Sequence, residues 1–312
     1  MLSLVVPVYS NEGSIPDLLN AVARLALDID APFETVFVVD GSPDRCYEIL
    51  AAQLPSCTFS SQLVLLSRNF GSFAAIRAGM EAARGDIFAV MAADLQEPPE
   101  LVHTMWRILH SSDADVVVGV RNSRHDPWMS RLFSGLFWRL YRRYVVPEVP
   151  PGGVDVFACN KPFRDELLKL EERHSSLIAQ VFWLGYRRQF VEYERRGRQH
   201  GASAWTFRKK LGYMMDSVFA FTDLPIRVLI RGGGIVAALS GAFAIVIVLS
   251  RLAGLITVQG YAVTILAIVF FGALNLFGLG LVGSYAWRAY ENTKGRPLHV
   301  VLRRHLWQAE RP

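Results

Sequence analysis

Asp94 and Gln96 are the residues of this chain best placed to do chemistry. Asp94 closes an apolar run, Ile87 to Ala93, and Gln96 follows two positions on. Residues two apart in an extended chain face the same way. A carboxylate and an amide oxygen suit Mg2+ or Mn2+, whose shells are completed by phosphate oxygens and waters. The plainer reading is a strand end with polar turn residues. Other polar residues follow apolar runs in the same manner: Tyr9 after Leu2 to Val8, Asp40 after Thr35 to Val39, Arg68 after Leu63 to Leu66. Arg121 ends the run that begins at Asp115. Singly, each has a bland explanation: packing for Tyr9, an Asx turn for Asp40, solvation for Arg68. Together Tyr9, Asp40, Arg68 and Asp94 describe one rim of carboxylates, an arginine and helix N-termini, which fits a phosphate-bearing ligand. The first loop carries no glycine-rich dinucleotide fingerprint, and no P-loop is present.

The runs that end in these residues must be strands. Between them lie helical stretches. Ser14 is a candidate N-cap with Pro16 early in the first helix, and Pro98-Pro99 stops one strand and starts the next helix. Strands alternating with helices to about residue 120 predict an α/β domain with a mainly parallel sheet and helices on both faces. Ligands of such sheets bind at the carboxyl ends of the strands. Asp155-Val-Phe predicts a further strand reaching the site, after a Pro- and Gly-rich loop over 145–154, and 162–185 reads as helical.

The chain has 312 residues, a net charge of +5 and 52% hydrophobic residues. Cys46, Cys57 and Cys159 lack metal-ligand spacing and cannot all pair, which fits a reducing compartment. Residues 124–144 carry Trp128, Leu132, Leu136 and Leu140 at helical spacing beside Arg131, Arg139 and Arg142. This predicts an amphipathic helix at a membrane surface. A second such helix is expected over 206–225, after a basic loop in which His200 is an ordinary loop residue. Between Arg231 and Arg288 the only charged residue is Arg251. Two spans are expected, at about 228–250 and 262–285, since about 1.5 Å per residue carries each across a bilayer. Arg208, Lys209, Lys210, Arg227 and Arg231 precede them; Arg288, Lys294, Arg296, Arg303 and Arg304 follow. The positive-inside rule then puts both termini and the catalytic domain in the cytoplasm, with 288–312 as a basic tail. Ala237-x-x-x-Gly241 and Gly280-x-x-x-Ser284 permit close helix packing, within the chain or in a homo-oligomer. The basic charge clusters at the membrane flanks, not along a groove, which argues against nucleic acid.

These residues resemble the membrane-anchored family 2 glycosyltransferases that load a sugar onto a polyprenyl phosphate, such as dolichyl-phosphate mannose synthases and bacterial undecaprenyl-phosphate glucosyl- and aminoarabinosyltransferases. The resemblance runs through Val6-Pro-Val-Tyr9 with Asn11-Glu12, Val39-Asp-Gly-Ser-Pro-Asp44, Ser67-Arg-Asn-Phe-Gly71, Arg77-Ala-Gly-Met80, Ala93-Asp-Leu-Gln-Glu-Pro-Pro-Glu100, Val118-Gly-Val-Arg121, Ser130-Arg131, Asp155, Tyr193-Glu-Arg195, Gly201-Ala-Ser203 and the apolar tail. Each motif alone is weak, while the ordered series is specific. It implies a GT-A fold over 1–205, a nucleotide-sugar donor, a polyprenyl-phosphate acceptor and Mg2+ or Mn2+. It places the donor on Pro7, Tyr9, Asn11, Asp40, Arg68 and Ser203, and the metal on Asp94 and Gln96. The catalytic residues it implies are Asp94, Arg121 and Arg131, the two arginines receiving the acceptor phosphate.

The sequence departs from the family pattern at four places. Ala92 stands where an acidic residue is common, Val39 where a polar one is, Ser10-Asn11 alters the residues after Tyr9, and Ala204 replaces a common lysine. The loss at Ala92 predicts weaker metal binding. Retention of Asp94, Gln96, Arg121 and Arg131 predicts an active enzyme. The rivals are a processive polysaccharide synthase, which usually needs more membrane helices, and a non-catalytic scaffold that binds nucleotide sugar.

Overall fold

Strand β1, Leu2–Val8, is buried along nearly all its length, so it needs cover on both faces. Its side chains divide by parity. Leu4, Val6 and Val8 pack into one core and Val5 into the other, as a two-residue period requires. The first core is closed by helices α1 (Ile15–Asp28) and α2 (Cys46–Gln53). The second is closed by α3 (Ser72–Ala82), whose Ala75, Ile76 and Met80 meet Val36, Val38 and Val64. This is a computed structural model, and it describes residues 1–121, 139, 141–143, 146–150, 154–173, 175–197, 207–253 and 260–309.

Strand β2 (Phe33–Val39), β3 (Ser60–Leu66) and β4 (Ile87–Val90) run parallel to β1. Helix α4 (Pro99–Ser111) then leads to β5 (Val116–Arg121). Strand β6 (Val154–Asn160) lies antiparallel between β4 and β5, so β5 regains the direction of β4. Helices α5 (Lys161–Lys169) and α6 (Leu177–Trp183) follow, then β7 (Arg188–Tyr193) alongside β5. Asp115 ties this half together. It accepts from Arg187 at 3.0 and 3.2 Å and from Asn160 at 2.9 Å, which hold its carboxyl below the usual range despite partial burial.

The remaining helices are α7 (Phe207–Phe221), α8 (Leu224–Leu252) and α9 (Tyr261–Thr293). The second and third are helical over the residues where the two spans are expected. Among the described residues one stretch, Phe270–Thr293, is long and apolar enough to cross a membrane, and none of it is buried in the protein. The expected surface helix over 124–144 lies mostly outside the described residues. Where it is described, Tyr141 turns inward and is buried near Ser176 and Ser217.

Two expectations about elements need correction. Strand β4 stops at Val90 rather than Ala93: its neighbour β6 reaches only Ile87–Ala89, and the chain then turns. The stretch after Arg288 is also more than a basic tail. It contains β8 (Val301–Trp307), antiparallel to β3, which completes an eight-stranded sheet of order β7-β5-β6-β4-β1-β2-β3-β8. Arg304 donates to Gln62 Oε1 at 3.0 and 2.7 Å, and Gln62 donates to the fully buried Glu34 at 3.0 Å. Side chains of β8 alternate poorly in polarity, so the strand is not legible from pattern alone.

Candidate active site

The carboxyl ends of β1, β2, β3, β4, β5 and β7 all open on one rim, as the parallel pairings and the return through β6 dictate. The rim therefore gathers Tyr9, Asp40, Arg68 and Asp94, the four expected there, and adds Arg121 at the end of β5. Arg131 and Ser203 lie outside the described residues.

On the β1 side, Pro7 is half-buried and in register with Val38, and Tyr9 follows the strand. Asn11 turns back on the chain, its Oδ1 accepting from Tyr9 N at 3.3 Å. Ser42 and Asp44 of the next loop fasten this turn: Ser10 N donates to Ser42 Oγ at 2.8 Å and Glu12 N to Asp44 Oδ2 at 3.0 Å. Ser10 is held at φ 53°, which for a non-glycine residue is strained. Cys46 is buried beneath, and burial together with Asp44 pushes its thiol up to about 12, so it is no nucleophile.

Asp40 is buried under the third loop. Its two oxygens accept from Phe70 N at 2.7 Å and Gly71 N at 2.8 Å. Burial raises its carboxyl above the ordinary value, against the lowering effect of those two bonds and of Arg68. Its visible task is to shape the loop. Arg68 is exposed and folds over the Phe70 ring at 4.0 Å. Gly41 makes this crowding possible: a Cβ there would lie 2.3 Å from the carbonyl carbon of Arg68, and its φ is +55°.

Asp94 is half-buried in the turn after β4. Among the described residues Leu95, at φ 54°, is the other non-glycine residue with positive φ, and both it and Ser10 are on the rim. Gln96 N closes an Asx turn onto Asp94 Oδ1 at 3.2 Å. The pair is thus set by a turn and not by strand alternation. Gln96 Oε1, expected from spacing to face a metal, accepts from Arg195 Nη2 at 2.5 Å. A cation beside that oxygen would face the guanidinium charge. Arg195 also approaches buried Glu97 at 3.6 Å, and Arg196 N donates to Gln96 O at 2.8 Å. The segment after β7 therefore straps the Asp94 loop. No role for Arg195 is legible in its local sequence, because its partner lies 99 residues away and the fold of the sheet brings them together.

The donor set fits a metal only in part. Among the described residues no group of three or more His, Cys, Asp or Glu could hold an ion. Ala92 leaves Asp94 as the rim carboxylate of this loop. Such a set fits an ion that arrives with a diphosphate, since Mg2+ commonly binds through one or two carboxylates plus substrate phosphates.

Residues 3–170 match the model of glycosyl transferase family 2. The chain belongs to that family. Its sheet order and parallel core agree with the GT-A type of fold. The family 2 chain is 32% identical over 316 residues to an uncharacterized glycosyltransferase of Synechocystis sp., covering 99% of this chain and 96% of the relative. It is 32% identical over 307 residues to an undecaprenyl-phosphate 4-deoxy-4-formamido-L-arabinose transferase of Pseudomonas aeruginosa, covering 97% and 90%. Among solved structures, glucosyl-3-phosphoglycerate synthase from Mycobacterium tuberculosis, crystallised with Mn2+ and UDP, is similar with a TM-score of 0.48. It is 17% identical and covers 70% of this chain and 77% of that one.

Proposed function

We propose that this glycosyltransferase moves a sugar from a nucleotide-sugar donor to a polyprenyl phosphate, with inversion at the anomeric carbon. The observation that carries the reading is the extent of the likeness to the undecaprenyl-phosphate transferase of Pseudomonas aeruginosa. It covers 97% of this chain, so it takes in the long apolar helices as well as the catalytic domain. A lipid acceptor explains why a sheet rim built for phosphates shares a chain with α8 and α9. Both helices span the bilayer in this reading, with the catalytic domain and both termini in the cytoplasm.

A phosphate monoester is largely ionised near neutral pH, with a second pKa of about 6. Its oxygen attacks C1 of the sugar, the bond from C1 to the donor diphosphate breaks, and no protein base is required. The protein's work is to bring two anions together. Arg121, with Arg131, holds the acceptor phosphate through charge-assisted bonds. Pro7, Tyr9, Asn11, Arg68 and Ser203 line the donor side, and Asp40 acts there through the loop it organises. Mg2+ or Mn2+, held by Asp94, would neutralise charge on the departing diphosphate when bound. Arg195 keeps Gln96 and the Asp94 turn in place.

Kinetics of Arg131→Ala in membrane vesicles test the acceptor assignment. A raised Michaelis constant for undecaprenyl phosphate with the donor constant unchanged supports it. Unchanged constants and rate remove Arg131 from the acceptor site.

A further inference from the structure

A cleft of about 920 Å³ lies where α7 ends and α8 begins, against α9. Arg143, Arg227 and Arg231 line it with a single carboxylate, Asp223. Phe221, Ile226 and Val228 supply apolar wall. The Tyr285 side chain reaches it from α9, and its hydroxyl is buried without a hydrogen-bond partner among the described residues. Arg227 pairs with Asp223 at 2.7 Å, yet both side chains remain more than half exposed. The cleft is therefore lined by both cationic and apolar side chains.

Its height on the molecule is informative. Below it α8 presents exposed apolar side chains such as Ile235, Leu239 and Phe243, and α9 presents Leu276, Leu279 and Val282. Beside it Arg288 binds Asp216 at 2.9 Å and lies 4.8 Å over the Phe219 ring. Trp287 and Tyr290 mark the same level, as aromatic side chains do at a membrane interface. With α8 and α9 in a bilayer, the cleft falls among the lipid headgroups.

We propose that it binds an anionic glycerophospholipid of the bilayer. The phosphate lies against Arg143, Arg227 and Arg231, headgroup hydroxyls face Asp223 and Tyr285, and the acyl chains run down the exposed face of α8. A glycerol headgroup carries hydroxyls that can donate to Asp223 and meet the Tyr285 hydroxyl, which a polyprenyl monophosphate lacks. The inference rests on the membrane-spanning reading above.

The test uses full-length protein in phosphatidylcholine vesicles with and without phosphatidylglycerol. Flotation reads insertion, and native mass spectrometry reads the lipid retained. Wild type is expected to retain phosphatidylglycerol over phosphatidylcholine. The double variant Arg227→Gln, Arg231→Gln should insert equally but lose that preference by about tenfold or more. Tyr285→Phe should weaken it with both arginines intact. Insertion with equal retention of the two lipids, or retention unchanged in both variants, overturns the proposal. So does preferential capture of undecaprenyl phosphate from a mixture, which would make the cleft an acceptor site. Failure to float overturns the spanning reading itself, and this proposal with it.

Discussion

In the proposed reading Asp94 is the carboxylate that holds the metal, since Ala92 offers none and Gln96 Oε1 accepts from Arg195. An ion held that way should bind poorly alone. Isothermal titration is expected to show Mg2+ or Mn2+ uptake only with a nucleoside diphosphate present, and Asp94→Ala should abolish both that uptake and detectable transfer. Full uptake by the free protein would mean that other ligands complete the site. Arg195→Ala frees Gln96 and loosens the strap. The donor Michaelis constant should rise by about tenfold while acceptor affinity stays near wild type. Gly41→Ala puts a methyl 2.3 Å from the Arg68 backbone, so the third loop must move. Nucleotide binding, read by fluorescence quenching, should be lost while far-ultraviolet circular dichroism stays the same. The residues at strand ends were legible because each follows an apolar run. Their partners were not: Asp40 works on Phe70 and Gly71 across the sheet, and Arg195 on Gln96 through a distant strand.

At the level of elements, β1 to β5 were legible from alternation and turn residues, to within a few positions at their ends. Strand β7 was hidden because Arg188–Tyr193 mixes charge and aromatics on a partly exposed edge. Strand β8 was hidden because it follows the apolar helices and only the fold returns it to β3. Its attachment runs through Glu34. Burial pushes that carboxyl up, but bonds from Arg84 N, Ser3, Gln62 and the Arg84 guanidinium outweigh it, and the folded pKa falls below the ordinary value. A depressed pKa adds stability that is present above the unfolded value and is lost as pH falls through the folded one. Glu34→Gln should cost about 2 kcal/mol near neutral pH, with the difference from wild type shrinking in acid below about pH 4. Thermal unfolding in detergent across that range checks it; a constant difference would show that Glu34 is not the acid-sensitive group.

For the whole molecule, the sheet rim, the helices and β8 form a closed circuit. The chain leaves the catalytic domain at α7, passes through α8 and α9, and returns to the sheet beside the donor loop, where Ser67 N donates to Val300 O at 2.9 Å. Arg173 binds Asn292 at 3.3 Å and approaches Glu291 at 3.7 Å, a second tie between catalytic domain and α9. In the membrane-spanning reading, such ties fix the height of the rim above the bilayer, which a lipid-borne phosphate requires. The most direct measurement is mass spectrometry of the lipid product after full-length protein in vesicles meets a panel of nucleotide sugars and undecaprenyl phosphate. The account predicts one glycosyl undecaprenyl phosphate, formed only with acceptor present and lost with Asp94→Ala. Free sugar alone, or a product that persists in Asp94→Ala, would contradict it.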